Sequence, residues 1–104
     1  MQYILAADGM TPILCEDPYV WGKWMEDVDR HVAMTHIPER KVRVSTVFLG
    51  LDYSFEGETE TAPALWESMV FPDNSDSELE QRRYTSYAEA IKGHNEIVSR
   101  LKME

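Results

Sequence analysis

Residues 42–51 read Val-Arg-Val-Ser-Thr-Val-Phe-Leu-Gly-Leu, and this stretch decides the fold. β-Branched and aromatic side chains favour extended backbone on a pleated surface. The run is almost continuously apolar at its end, which is typical of a strand whose two faces are both covered. A glycine inside such a run, here Gly50, indicates a bulge or a close approach of another backbone. We therefore predict a central strand from Val42 to Leu51.

A second strand is predicted downstream, over 65–71. Because side chains alternate between the faces of a strand, Glu67 shares one face with Leu65, Met69 and Phe71, while the other face carries Trp66, Ser68 and Val70. An acid on the apolar face indicates that this face is partly exposed or that Glu67 has a partner. Residues 81–84 follow as an optional short edge strand.

The last helix is predicted to begin at Ser86, which forms a capping box with Glu89. Apolar and aromatic residues then recur three and four positions apart, which indicates one buried helix face. Gly93 lies inside this helix at a cost of about 1 kcal/mol relative to alanine. The recurring residues are Tyr87, Ile91, His94, Val98 and Leu101.

The N-terminal part predicts a hairpin and a helix. Asp8-Gly9 between two apolar runs is typical of a two-residue hairpin turn. Asp17-Pro18 reads as an N-cap followed by proline at the first helical position. The apolar residues that follow at spacing four predict a helix that fades near residues 31–34; they are Val20, Trp24, Val28 and Val32.

These elements give the order β-β-α-β-β-(β)-α, an α+β fold in which a small antiparallel sheet has two helices packed on one face. The length of 104 residues suits a single domain spanning 1–104. One cysteine, Cys15, excludes an internal disulfide, and the N-terminal residues lack the basic start of a signal peptide. We therefore expect a cytoplasmic protein.

Charge narrows the classes of partner. The chain has 19 acidic and 10 basic residues and a formal charge of −9. A surface this negative repels nucleic-acid backbone and anionic lipid, so we expect neither nucleic acid nor membrane as a partner. Acidity alone is also explained by solubility, and that alternative stays open.

No enzyme motif is present. The chain lacks a P-loop, a dinucleotide-binding glycine pattern, a His-Glu-x-x-His helix and a nucleophile elbow. A metal site would need two or three of His31, His36 and His94 to converge with a carboxylate, and His31 and His36, five residues apart across a helix end, have weak spacing for it. We therefore expect a protein that is not an enzyme, with no metal and no cofactor.

Two groups of residues are candidates for binding. Arg82 and Arg83 pair well with phosphate in principle, because guanidinium groups bind it bidentately. Aromatic side chains stack on bases, and short polar side chains bond to ribose; the candidates are Phe71, Trp66, Asp52 and Asn74. The alternative is a protein-binding surface on the acidic loops, since residues 52–80 contain nine acids and no lysine or arginine; its candidates are Glu56, Glu58, Glu60, Asp73, Asp76 and Glu78.

Three segments resemble a group of small proteins of bacteriophages and prophages. They are Val44-Ser45-Thr46-Val47-Phe48-Leu49-Gly50-Leu51-Asp52-Tyr53-Ser54-Phe55, Leu65-Trp66-Glu67-Ser68-Met69-Val70-Phe71, and Arg83-Tyr84-Thr85-Ser86-Tyr87-Ala88-Glu89-Ala90 with Gly93-His94. The resemblance covers about residues 42–98. Related sequences have a glycine after the Phe71 position, where this chain has Pro72.

The resemblance implies a counter-defence role inside an infected host cell. The chain is similar to the Thoeris anti-defence proteins, sponges that trap a nucleotide immune signal of the cyclic ADP-ribose type without cleaving it; a cyclic oligonucleotide is the other signal of this kind. We expect such a pocket to lie at a homo-oligomer interface, because one small domain has little room to enclose a dinucleotide. The alternative is an anti-CRISPR-like inhibitor that docks on a host defence effector through its acidic loops.

Overall fold

The computed structural model describes residues 1–52 and 62–104. Its centre is a four-stranded antiparallel meander made of β3 (His31–Ile37), β4 (Val42–Phe48), β5 (Trp66–Pro72) and β6 (Glu80–Tyr84), in that spatial order. A separate two-stranded sheet contains β1 (Tyr3–Leu5) and β2 (Pro12–Leu14). The helices are α1 (Pro18–Asp27) and α2 (Tyr87–Met103), with a short 3-10 turn at Pro38–Arg40. The α+β class predicted from the sequence is confirmed.

Both helices contact the same face of the sheet. α2 packs Ile97 against Val44 and Val70 in one buried cluster. Trp24 of α1 meets the ring of Phe48 edge-on, with the ring centroids 5.8 Å apart. Phe48 lies on the same face of β4 as Val44, because the two are four residues apart on an alternating strand. The predicted placement of the helices is therefore correct.

The central strand ends at Phe48, three residues before the predicted Leu51, because the chain turns at Gly50. Gly50 has a φ of +75°, and a Cβ there would lie 2.8 Å from the sulfur of Met25. The carbonyl of Gly50 accepts hydrogen bonds from Tyr3 N at 2.8 Å and from Trp21 Nε1 at 3.1 Å. The predicted close approach is thus confirmed, and it fastens the hairpin and α1 to the end of the sheet.

The sequence reading missed β3. Residues 31–34 were predicted as a fading helix, but α1 ends at Asp27, Val28 is extended, and the chain enters the four-stranded sheet at His31. The Asp29 carboxylate accepts a hydrogen bond from His31 N at 3.0 Å and stabilises the intervening turn. The error arose because Val32 continues the helical spacing of Val20, Trp24 and Val28, whereas pairing with β4 decides its conformation.

The hairpin is present, but its turn is longer than predicted. Ala6 N donates to Thr11 O, which leaves four residues in the loop instead of the two of an Asp-Gly turn. Only Gly9 of the pair has positive φ, at +71°. Asp8 uses its carboxylate to accept bonds from Met10 N and from Thr11. A four-residue turn stabilised by the Asp8 side chain therefore replaces the predicted two-residue turn.

Both predicted N-cap residues are confirmed, but the capping box is only half formed, since the Glu89 carboxylate accepts from Thr85 Oγ1 at 3.3 Å instead of from the Ser86 N–H. Asp17 accepts from Tyr19 N at 2.9 Å, and Ser86 Oγ accepts from Glu89 N at 3.1 Å. Gly93 is buried inside α2 because the ring of Tyr84 occupies the space that a Cβ would need. No helix within residues 1–52 and 62–104 is long and apolar enough to cross a membrane.

Candidate functional site

Arg82 and Arg83 do not converge. They are neighbours on β6, where successive side chains point to opposite faces. Arg82 lies on the helix side, paired with Glu96 at 3.1 Å and with its Cζ 5.4 Å from the centre of the Tyr84 ring. Arg83 lies on the opposite side, where its Nε contacts Glu67 at 2.8 Å. The chain therefore does not bring both guanidinium groups to a single phosphate site, and that prediction is wrong.

The aromatic candidates are also separated. Trp66 is fully buried between Phe48 and Tyr84, so it has no face left for stacking. Phe71 lies on the opposite face of β5, where the Cζ of Arg43 is 4.8 Å from its ring centre. Asn74 is exposed in the β5–β6 turn. Asp52 lies beside the N-terminus in space and donates its backbone N–H to Met1 O at 3.0 Å.

Glu67 is buried, with 4% of its surface exposed, and the predicted partner is found. The carboxylate accepts from Arg83 Nε and from Gln81 Nε2, both on β6. These bonds compensate the cost of removing an anion from water. The alternation predicted for β5 is confirmed, since Trp66, Ser68 and Val70 face the helices.

Two of the three acidic candidates in the β5–β6 turn pair with side chains of the same chain. Asp73 contacts His36 Nε2 at 2.8 Å, and Asp76 contacts Arg43 at 3.0 Å. Glu78 is exposed. The remaining three acids of that hypothesis lie outside the described residues; they are Glu56, Glu58 and Glu60.

A chain of hydrogen bonds runs through the core between the sheet and α2. Tyr84 OH donates to Ser68 Oγ at 2.9 Å, Ser68 Oγ contacts Thr46 Oγ1, and Thr46 Oγ1 lies 2.7 Å from His94 Nδ1. His94 Nε2 is 2.8 Å from Thr35 Oγ1. One direction of donation satisfies every group when His94 is neutral and carries its proton on Nε2. Burial lowers the pKa of His94 and favours this neutral form.

This polar chain is structural. His94, Ser68, Thr46 and Tyr84 are all buried, so no substrate reaches them. The sequence placed Ser68 on one face with Trp66 and Val70, and His94 among the apolar residues of the last helix, without explaining why polar residues should stand there. The explanation is mutual hydrogen bonding between two elements, which a one-dimensional pattern does not reveal.

A cavity of about 450 Å³ lies between the β1–β2 turn, the end of α1 and the start of β3. Its wall contains Trp24, Tyr87 at the start of α2, Arg30 and His31, together with the turn residues 5–10. We call this cavity the hairpin pocket. Its volume lies within the range of roughly 300–1,000 Å³ that is typical of small-molecule sites.

Arg30 is the cation of the hairpin pocket. Its Nη1 donates to Phe48 O at 3.1 Å, which orients the guanidinium group. Its other N–H groups have no partner in the part of the chain that the structure describes. Two aromatic rings and an oriented guanidinium therefore line one cavity.

The two acids of the pocket wall are used to build it. Hydrogen bonds from Thr11 and Met10 lower the pKa of Asp8. Bonds from the backbone and ring of His31 lower the pKa of Asp29. Both carboxylates are therefore ionised at neutral pH and hold the loops in place, and their remaining lone pairs can accept bonds from hydroxyl or amino groups.

Sequence reasoning missed this pocket because it missed β3. With Arg30 and His31 assigned to a fading helix, nothing placed them beside the hairpin turn or beside Tyr87. Among residues 1–52 and 62–104, no group of three or more histidine, cysteine or acidic side chains could hold a metal ion.

No family model matches the chain, and no curated protein or solved structure matches it significantly.

Proposed function

We propose that this protein is a non-catalytic binding protein that takes up a small nucleotide-derived molecule in the hairpin pocket. The observation that carries the proposal is the meeting of Trp24, Tyr87 and Arg30 on one cavity of about 450 Å³. Stacking on an aromatic side chain contributes roughly 1–3 kcal/mol per base. A guanidinium group adds a charge-assisted bond to phosphate.

The charges of the wall favour a particular ligand class. One arginine beside two ionised carboxylates suits a molecule with few phosphates and several hydroxyl groups, because hydroxyls donate to carboxylates while a polyphosphate would be repelled. The net charge of −9 acts in the same direction. A cyclic ADP-ribose type of signal or a cyclic oligonucleotide fits this description, and uptake of such a signal by a phage protein in an infected cell would act as counter-defence.

The test is uptake of defined nucleotides, followed by heat release. Adenosine, AMP, cyclic ADP-ribose and cyclic dinucleotides are each titrated by calorimetry, and the released ligand is then analysed by chromatography. Intact ligand after release supports sequestration, and a converted ligand would identify an enzyme. If none of these probes binds, the proposal fails.

Arg30→Met is the decisive variant. Loss of a hydrogen bond to a charged group removes about 1.5–3 kcal/mol, so we expect affinity to fall by about 10-fold to 150-fold. Arg82→Ala is the matched control, because Arg82 is an arginine of the sheet whose side chain pairs with Glu96, outside the pocket wall. Equal losses in both variants would contradict the assignment of Arg30.

A second candidate function is inhibition of a host effector through the β5–β6 turn. Asp76 is fully exposed despite its contact with Arg43, and the neighbouring Leu79 exposes 66% of its surface. An apolar side chain ringed by acids suits a partner with a basic rim. Replacing Asp76 and Glu78 by Asn and Gln should slow association with such an effector and flatten its salt dependence; an unchanged association rate constant would contradict this candidate.

A further inference from the structure

Helix α1 presents an apolar face that the described part of the chain does not cover. None of the ten residues Pro18–Asp27 is buried. Tyr19 exposes 87% of its surface, Val20 53%, and Val28, just after the helix, 38%. These three line a groove with Lys23, Trp24 and Asp27, which we call the α1 groove.

A short helix with such a face is incomplete by itself. Helices of this length are marginal in water, and most of their stability comes from packing one face against other elements. The inner side of α1 already packs Trp24 against Phe48 and bonds Trp21 to Gly50. The outer side retains Tyr19 and Val20, and contiguous exposed apolar surface of this kind marks an interaction site.

We propose that the α1 groove is the interface of a symmetric dimer, in which α1 of one copy packs antiparallel against α1 of a second copy. The charges of the groove identify this occupant. It contains one lysine and one aspartate, Lys23 and Asp27, which are 3.5 Å apart, so the groove is neutral although the chain carries −9. A neutral groove does not select a basic partner, whereas a two-fold contact requires a self-complementary surface.

An antiparallel pair of α1 helices brings complementary groove residues of the two copies together. With the two-fold axis between residues 23 and 24, Tyr19 of each copy lies opposite Val28 of the other. Lys23 of each copy comes within about one helical turn of Asp27 of the other, since the rise is about 1.5 Å per residue. Each internal Lys23–Asp27 contact can therefore be exchanged for a contact between the copies.

The area of the groove places the dimer among weak, transient contacts. Tyr19 exposes most of the roughly 150–250 Å² that an aromatic side chain can bury. The whole groove offers on the order of 500 Å² per copy, so a symmetric contact removes about 1,000 Å² in total, the lower limit for a specific interface. We therefore expect a reversible dimer with a dissociation constant in the micromolar range.

The dimer also bears on the hairpin pocket. Trp24 and Val28 line both the α1 groove and the hairpin pocket. A second copy in the groove therefore lies at the rim of the pocket and narrows its mouth. This consequence rests on the proposed function, whereas the dimer itself does not.

The experiment is sedimentation equilibrium of the full chain without ligand, from about 1 to 200 μM. The wild type should show a monomer–dimer equilibrium, and Val20→Asp should weaken it at least tenfold. Leu79→Asp is the matched control, because it places the same charge at an exposed apolar residue far from α1 in the chain, and it should dimerise like the wild type. A wild type that stays monomeric at the highest concentration, or equal effects of the two variants, would overturn the proposal.

Charge reversal gives a second readout that a folding defect cannot imitate. Lys23→Asp and Asp27→Lys should each be monomeric, because each groove then carries two like charges. Mixing the two variants should produce a heterodimer, since an acidic groove then meets a basic one. A mixture that shows no heterodimer would contradict the antiparallel α1 contact.

Discussion

Gly93→Ala should destabilise this protein, although alanine is the better helix former. Helix propensity alone predicts a gain of about 0.8–1 kcal/mol at an interior position. The structure predicts the opposite sign, because a Cβ at Gly93 would lie closer than 3.0 Å to three atoms of the Tyr84 side chain, a separation that real Cβ atoms essentially never show. Tyr84 is buried and has little room to move aside.

The size of the destabilisation follows from the contacts that the Tyr84 ring loses when it is displaced. Overpacking a well-packed core costs about 1–3 kcal/mol. Tyr84 OH also donates to Ser68 Oγ at 2.9 Å, and a buried partner left without its bond costs a further 1–3 kcal/mol or so. Subtracting the helix gain leaves a net loss of about 1–5 kcal/mol in the free energy of unfolding. This is a large share of the total, which is about 5–15 kcal/mol for a typical domain.

Urea denaturation followed by circular dichroism measures this change, and a Tyr84→Val background supplies the control. Without the ring, the same Gly93→Ala change should become stabilising by about 0.5–1 kcal/mol, because only helix propensity remains. Such a reversal of sign in a double-mutant cycle identifies the contact between the two residues. Stabilisation by Gly93→Ala in the wild-type background would refute the reasoning.

Two further predictions concern the buried polar groups. Burial lowers the pKa of His94, so the unfolded state binds a proton more readily, and stability should fall as the pH drops below about 6.5, by at most about 1.4 kcal/mol per pH unit. Urea midpoints measured across this range should lose part of their pH dependence in His94→Gln; an unchanged slope would contradict a role for His94. Arg83→Met removes a partner of the buried Glu67 carboxylate and should cost about 1–3 kcal/mol, less than for a fully buried pair because Arg83 is partly solvated. Adding Glu67→Gln to Arg83→Met should recover part of the loss, and no recovery would argue against the pairing as its cause.

Local signals predicted much of this fold. The cap of α1 at Asp17 and the cap of α2 at Ser86 depend on contacts within three residues, and both are present. The alternation of β5 was also read correctly, since side chains of an extended strand must alternate. These features follow from the chain near each residue and need no knowledge of its partners.

The errors lie where distant parts of the chain meet. Val32 satisfies the helical spacing as well as it satisfies a strand, and only pairing with β4 decides between them. Arg82 and Arg83 appeared to form one site because adjacency in sequence was read as adjacency in space, although the strand predicted for 81–84 already implied opposite faces. The hairpin pocket needs β1, α1, β3 and α2 together, so no local pattern indicates it.

The Gly50 carbonyl accepts from both the Tyr3 N–H and the Trp21 indole, so the hairpin, α1 and the end of the central strand meet at one peptide group. The same indole N–H also lies 3.2 Å from Tyr3 O, so hairpin and helix are bonded to each other as well as to Gly50 and should separate from the sheet as one unit. A molecule bound between the hairpin and β3 would therefore stabilise a part of the chain that has few buried side chains of its own.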